Sequence, residues 1–291
     1  EGAMRTRTAI APTTHGVPTC STRAWARRHV RLNAGGFRDS AHAAEARTGT
    51  RRLLVVGDSF AFGWGLARCE ERFGERLSAR LADRTGAAWE SMNASRGDSH
   101  TLDHVAMLES MARYRPDVVI LLYVFNDIDY LVPVTPRENA PGGDAWAKLH
   151  PRRLLFVNSY LFQECYVRLR LLRYRRRDAG GDDPYFDAAA LDRHLDDVAE
   201  FAASAKGRGA VVRVAPFDPS VVASSRLRER YRRFVASAAA RGIPVTSLES
   251  ALDGRSYAEL TVNAIDGHAS ALANRLAAEA MADALMPALR R

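Results

Sequence analysis

Two Gly-Asp-Ser triplets, Gly57-Asp58-Ser59 and Gly97-Asp98-Ser99, and one Asp-Gly-His triplet, Asp266-Gly267-His268, are the residues most suited to chemistry in this chain. A serine hydroxyl becomes a nucleophile when a histidine takes its proton, and the histidine in turn needs a carboxylate to fix its tautomer. Ser59 follows the apolar run Leu53-Leu54-Val55-Val56, and Gly63-Trp64-Gly65 supplies backbone freedom for a tight turn after it. Ser99 follows a weaker strand pattern, so Ser59 is the expected nucleophile and Ser99 its rival. The G-x-S-x-G elbow of α/β-hydrolases is disfavoured, because Ala61 stands where its second glycine would be. Asp266 and His268 lie in a loop before the last helical pattern. A bland reading of them, a helix cap beside a surface histidine, competes with the catalytic one.

Acyl transfer also needs donors for a developing oxyanion. The Ser59 N–H, the Gly97 N–H and the Asn126 side chain each fall just past an apolar run and are the expected donors. His100 and His104, at i and i+4, would suit zinc only with a third ligand, and no metal or other cofactor is called for. Cys20, Cys69 and Cys165 are widely spaced and read as reduced thiols. Asn93-Ala94-Ser95 would be a glycosylation sequon only in a secreted eukaryotic chain.

Taken in order, Ser59, Gly97, Asn126 and His268 resemble the four residues that name the SGNH (GDSL-type) hydrolases. The four blocks are Gly57-Asp58-Ser59-Phe60, Asn93-Ala94-Ser95-Arg96-Gly97, Phe125-Asn126-Asp127 and Asp266-Gly267-His268. Asn33-Ala34-Gly35-Gly36-Phe37-Arg38-Asp39 is similar to an N-G-F-R-D arm that precedes the domain in many bacterial members. The chain departs from the pattern in three ways. Val124 stands at a usual glycine, the last block is D-x-H where D-x-x-H is commoner, and an alternative alignment puts Ser95 or Asp98 opposite the glycine of the second block. The resemblance implies a flavodoxin-like α/β fold and a serine esterase acting on O-acetyl sugars, short acyl esters, lipids or thioesters, free or carrier-bound. An acyltransferase using the same triad, and a non-catalytic binding module, are the alternatives.

The elements that must position these residues follow from periodicity. Strand patterns at Leu53–Val56, Trp89–Asn93, Asp117–Tyr123, Ala210–Ala215 and Ile243–Ser247 alternate with helical patterns near Glu70–Asp83, Thr101–Arg113, Ala188–Ala205, Ser225–Ala240 and Ser270–Leu289. Five short apolar strands between helices predict a mainly parallel sheet covered on both faces, a three-layer α/β sandwich. Residues 1–50 read as an extended arm, and 51–291 as the hydrolase domain with a lid-like insertion at about 128–187.

At 291 residues with 47% apolar content, the chain can bury a proper core, and its longest apolar runs are too short to span a bilayer. Glu1-Gly2-Ala3 before Met4 reads as a vector scar, and no signal-peptide core follows, so a cytoplasmic location is expected. Of the net charge of +8, seven charges sit between Pro151 and Arg177, where eight arginines face the single Glu164. That segment reads either as a solvated helix face or as a surface for an acidic substrate or partner. Nucleic acid is the less expected ligand, and oligomeric state is not legible.

Overall fold

The computed structural model describes residues 26, 28–131, 165, 183–263 and 266–290. Most of the lid-like insertion, the basic segment apart from Cys165, and Cys20 therefore lie outside the described residues.

Four strands, β1 (Thr50–Gly57), β2 (Ala88–Ser95), β3 (Val118–Tyr123) and β4 (Val211–Pro216), form one parallel sheet in the order β2-β1-β3-β4. The central strands are the most apolar: every residue of β3 is buried, as are Arg52 to Gly57 of β1. Such continuous burial is what a parallel sheet covered on both faces requires. Each fully buried Leu, Ile or Val side chain there contributes roughly 1.5–3 kcal/mol.

Among the described residues, five helices of eleven residues or more cover the sheet or its edges: α2 (Phe73–Thr85), α3 (Thr101–Met111), α4 (Ala188–Gly207), α5 (Ser225–Ala240) and α6 (Ala271–Leu289). α2 packs on α6, with Arg80 bonded to Glu279 at 2.7 Å, and α3 packs on α4. The three-layer α/β arrangement is the one expected. At the fifth strand position, the Ile243–Ser247 segment makes only one parallel bridge, Val245 to Val214. Pro244 sits in that segment, accepts a bond from Val214 N–H and has no N–H to return.

Residues 28–49 have no strand among them but are tied to the sheet by side chains. Asn33 closes the turn with its Oδ1 on Gly35 N–H (2.9 Å) and Phe37 N–H (3.2 Å), and Phe37 enters the core. Asp39 accepts the Asn93 N–H on the outer edge of β2 at 2.8 Å, satisfying an edge donor. His42 bridges Asp39 (2.8 Å) and Glu90 (2.7 Å), and Arg52 reaches Glu90 at 2.7 Å and the carbonyls of Ala43 and Ala44.

Candidate active site

The strands point their carboxyl ends to one side, and the predicted residues meet there. β1 ends at Gly57, where close approach to β3 demands glycine: a Cβ would lie 2.7 Å from the Leu122 carbonyl oxygen. A one-turn helix α1 (Ser59–Phe62) follows. Its cap Asp58 accepts the Phe60 N–H at 2.9 Å, and Gly63 ends it in the left-handed region at φ 73°. This arrangement leaves Ser59 half-buried at the start of the turn.

Ser59 Oγ lies 2.9 Å from His268 Nε2, although the two residues are 209 apart in sequence. His268 Nδ1 lies 2.5 Å from Asp266 Oδ1, and the same oxygen accepts the His268 backbone N–H at 3.1 Å. Burial alone would raise the Asp266 pKa, but the hydrogen bond and charge of His268 hold it below the usual carboxylate value. The rings of Phe60 and Trp64 flank the imidazole, with centroids 5.0 and 6.3 Å from it. In this arrangement Ser59 Oγ can pass its proton to Nε2 of an imidazole whose Nδ1–H is held by the Asp266 carboxylate.

The expected oxyanion donors gather around the same serine. A Cβ built on Gly97 would meet Ser59 Cβ at 3.9 Å, so this glycine lies beside the Ser59 side chain. Asn126 Nδ2 donates to Asp58 Oδ2 at 3.3 Å, which leaves its second N–H for another acceptor. Asp58 Oδ2 also lies 3.0 Å from Ser59 Oγ and competes with His268 Nε2 for the one hydroxyl proton. Burial pushes the Asp58 carboxyl up, against the opposing pull of its hydrogen bonds and of His268.

Ser99, the rival serine, is in a different state. It is buried, and its hydroxyl donates to the Arg96 carbonyl at 2.7 Å. His100 precedes α3 as its cap while His104 is buried within the helix, so the two are not a surface pair. Among the described residues, no group of three His, Cys, Asp or Glu side chains could hold a metal ion. Cys69 and Cys165 are free thiols.

Several residues that position this site carry no periodic signal. Arg38 is buried and donates to the carbonyls of Gly63 (2.6 Å), Leu66 (2.9 Å), Phe62 (3.3 Å) and His29 (3.3 Å). Asn93 Nδ2 reaches the Ala61 carbonyl at 2.7 Å. Both hold the turn that carries Ser59. The N-G-F-R-D resemblance was the one available pointer to Arg38, and the second block the pointer to Asn93.

The family model of the GDSL-like lipase/acylhydrolase family matches residues 55–276. The chain belongs to this family. It is accordingly a hydrolase of the GDSL type, whose members act on small ester substrates. Among solved structures, the fold is similar to that of TesA, at 18% identity and a TM-score of 0.52 over 81% of this chain and 99% of that one. It is also similar to the lipase Lip_vut3 from a goat rumen metagenome, at 13% identity and a TM-score of 0.52 over 80% of this chain and 97% of that one. Comparison with curated proteins gives no match. No helix among the described residues is long and apolar enough to cross a membrane.

Proposed function

We propose that this GDSL-type hydrolase is a serine esterase that forms an acyl-enzyme at Ser59, with His268 as general base and acid and Asp266 as its orienting carboxylate. The observation that carries the reading is the unbroken line from Ser59 Oγ to His268 Nε2 at 2.9 Å and from Nδ1 to Asp266 at 2.5 Å. In the first step Oγ attacks the ester carbonyl and its proton passes to Nε2, while the other proton stays on Nδ1, hydrogen-bonded to the Asp266 carboxylate. The tetrahedral oxygen takes its negative charge among the N–H groups of Ser59 and Gly97 and the free N–H of Asn126. Collapse expels the alcohol, which leaves with the proton from Nε2. Water then repeats the sequence on the acyl-enzyme, giving a free acid and restoring the serine. Replacing that water by an alcohol acceptor would make the same site an acyltransferase, and product analysis in the presence of an added alcohol separates the two.

The test is intact-mass measurement after treatment with a fluorophosphonate, on the native protein and on Ser59→Ala. One adduct is expected on the native protein and none on the variant, together with a fall in kcat on short-chain esters of about 10³-fold or more. An adduct mapped to Ser99, or full turnover by Ser59→Ala, overturns the assignment.

A further inference from the structure

Ser99 of the second Gly-Asp-Ser triplet, His104 five residues beyond it and Asp127 form a buried chain that the mechanism above leaves unused. Ser99, His104 and Asp127 are all essentially without solvent exposure. His104 Nε2 lies 3.0 Å from Ser99 Oγ, and His104 Nδ1 lies 3.8 Å from Asp127 Oδ2. Neither His104 Nδ1 nor Asp127 Oδ1 has a hydrogen-bond partner.

Proton accounting fixes the roles. Ser99 has one hydroxyl proton, and its 2.7 Å contact is a carbonyl oxygen, that of Arg96, which can only accept. His104 must therefore be the donor to Ser99 through Nε2–H, which leaves Nδ1 facing the Asp127 carboxyl. An ionised carboxylate there would look onto a bare lone pair, in a dry interior, with the Val124 N–H at 3.3 Å as its hydrogen-bond donor. The 3.8 Å gap between Nδ1 and Oδ2 is a facing contact and not a hydrogen bond. Burial acts on both groups, raising the Asp127 pKa well above the ordinary value and lowering that of His104 to about 3, which favours the neutral form of each.

The two ends of this chain lie on the two turns that carry the oxyanion donors. Ser99 clamps the Arg96 carbonyl across a turn that contains Gly97 and in which Asp98, a non-glycine residue, is held at φ 63°. Such a left-handed conformation persists only when its surroundings hold it. Asp127 closes the other turn, exchanging bonds with Val124 at 3.0 and 3.3 Å around Asn126. His104, on α3, spans the space between them.

We propose that His104 is a positioning residue for the oxyanion donors: bonded to Ser99 on one side and facing Asp127 on the other, it fixes the Gly97 turn relative to the Asn126 turn. This rests on the esterase reading of the same site. Displacing donors by a fraction of an ångström weakens transition-state stabilisation without changing how the ground-state ester binds.

The experiment compares native protein, His104→Phe, His104→Gln and Ser99→Ala, each with and without Asn126→Ala. It measures kcat and KM on p-nitrophenyl acetate and the rate of fluorophosphonate modification by intact mass. Phe keeps the ring volume, Gln can restore an N–H toward Ser99, and Ser99→Ala removes a single hydroxyl, so the series does not depend on one variant folding. The expected result is a fall in kcat of about 10- to 100-fold in His104→Phe with KM changed by less than about twofold. Partial recovery is expected in His104→Gln, and the loss should largely disappear in the Asn126→Ala background, where that donor is already gone. Native kcat in both His104→Phe and Ser99→Ala overturns the proposal, as does a loss equally large with and without Asn126. Native protein that takes no adduct on Ser59 overturns the esterase reading and this one together; an adduct on Ser59 that forms at the native rate in His104→Phe overturns this one alone.

Discussion

Replacing Arg38 tests whether the segment ahead of β1 is part of the site's scaffold. Its guanidinium has two bonds in the charge-assisted range, to Gly63 at 2.6 Å and Leu66 at 2.9 Å, and two longer ones, to Phe62 and His29 at 3.3 Å. Taking only the two short bonds at about 1.5–3 kcal/mol each gives a gross loss of roughly 3–6 kcal/mol. The cost of burying the guanidinium is recovered in Arg38→Ala, but the carbonyls lose their charged donor, Gly63 keeping only the Leu66 N–H at 3.2 Å, so a net loss of about 3–5 kcal/mol is expected. Against a total stability of about 5–15 kcal/mol, the variant should remain folded at low temperature or sit near the edge. Arg38→Lys should recover only part, because an ammonium cannot match a planar fork to carbonyls on several sides. Urea titration gives the stability difference, and ester turnover at a temperature where both proteins are folded gives the effect on the Ser59 turn. A stability change below about 1 kcal/mol with native kcat would refute the reasoning, since it would mean that water replaces the guanidinium at no cost.

Two further expectations concern the same scaffold. His42 bridges Asp39 and Glu90, and its hydrogen bond to Asp39 raises its pKa above the ordinary 6.5 despite burial. Its stabilisation is therefore complete below that value and lost as pH rises through the raised one. The Tm gap between native protein and His42→Gln should shrink from about pH 5 to about pH 9, and a gap independent of pH would contradict the bridge. Gly57→Ala would press a methyl group against the Leu122 carbonyl oxygen and the Ala61 side chain, at 2.7 and 2.9 Å. It should cost roughly 1–3 kcal/mol by overpacking and lower turnover by moving Ser59; unchanged thermal unfolding would show that β1 and β3 can separate freely there.

The parts of this protein that repeat were legible before the structure. α5 begins and ends where its pattern does, at Ser225 and Ala240, because its buried Tyr231, Phe234 and Ala238 follow the helical period. Ser59, Gly97, Asn126 and His268 were legible because each lies just past a recognisable apolar run or before a helix. The supporting residues were not legible, because their environment is set by segments distant in sequence. The arm resemblance points to Arg38 but not to its partners, which lie in a turn some 25 residues later. Ser99 and Ser59 share the same triplet; the stronger apolar run before Ser59 favours it in the sequence, and burial of Ser99 separates them in the structure. His100 and His104 suit zinc only with a third ligand, and their i, i+4 spacing says which residues share a helix face, not whether that face is dry. The fifth strand position was overread: Ile243 to Ser247 has apolar character, but Pro244 limits its ladder to a bridge.

The short D-x-H spacing has a physical rationale in this turn. With one residue between them, Asp266 Oδ1 can accept the backbone N–H of His268 and face its ring nitrogen Nδ1 together, so a single oxygen sets both the chain direction and the imidazole tautomer. A longer spacing would separate those two tasks. The turn is closed independently by Val262 N–H on the His268 carbonyl at 2.8 Å and by the Asn263 side chain on Asp266 N–H at 2.9 Å. Gly65, held at φ 82°, lies so close to Val262 that a Cβ would stand 2.6 Å from its methyl group. The loop after Ser59 and the loop before His268 are therefore packed on each other at a glycine, and the 2.9 Å contact between hydroxyl and imidazole is maintained from both sides. Under the proposed mechanism that contact is where the proton crosses. Gly65 then acts less by exposing Ser59 than by letting the loop of its base approach closely enough to reach it.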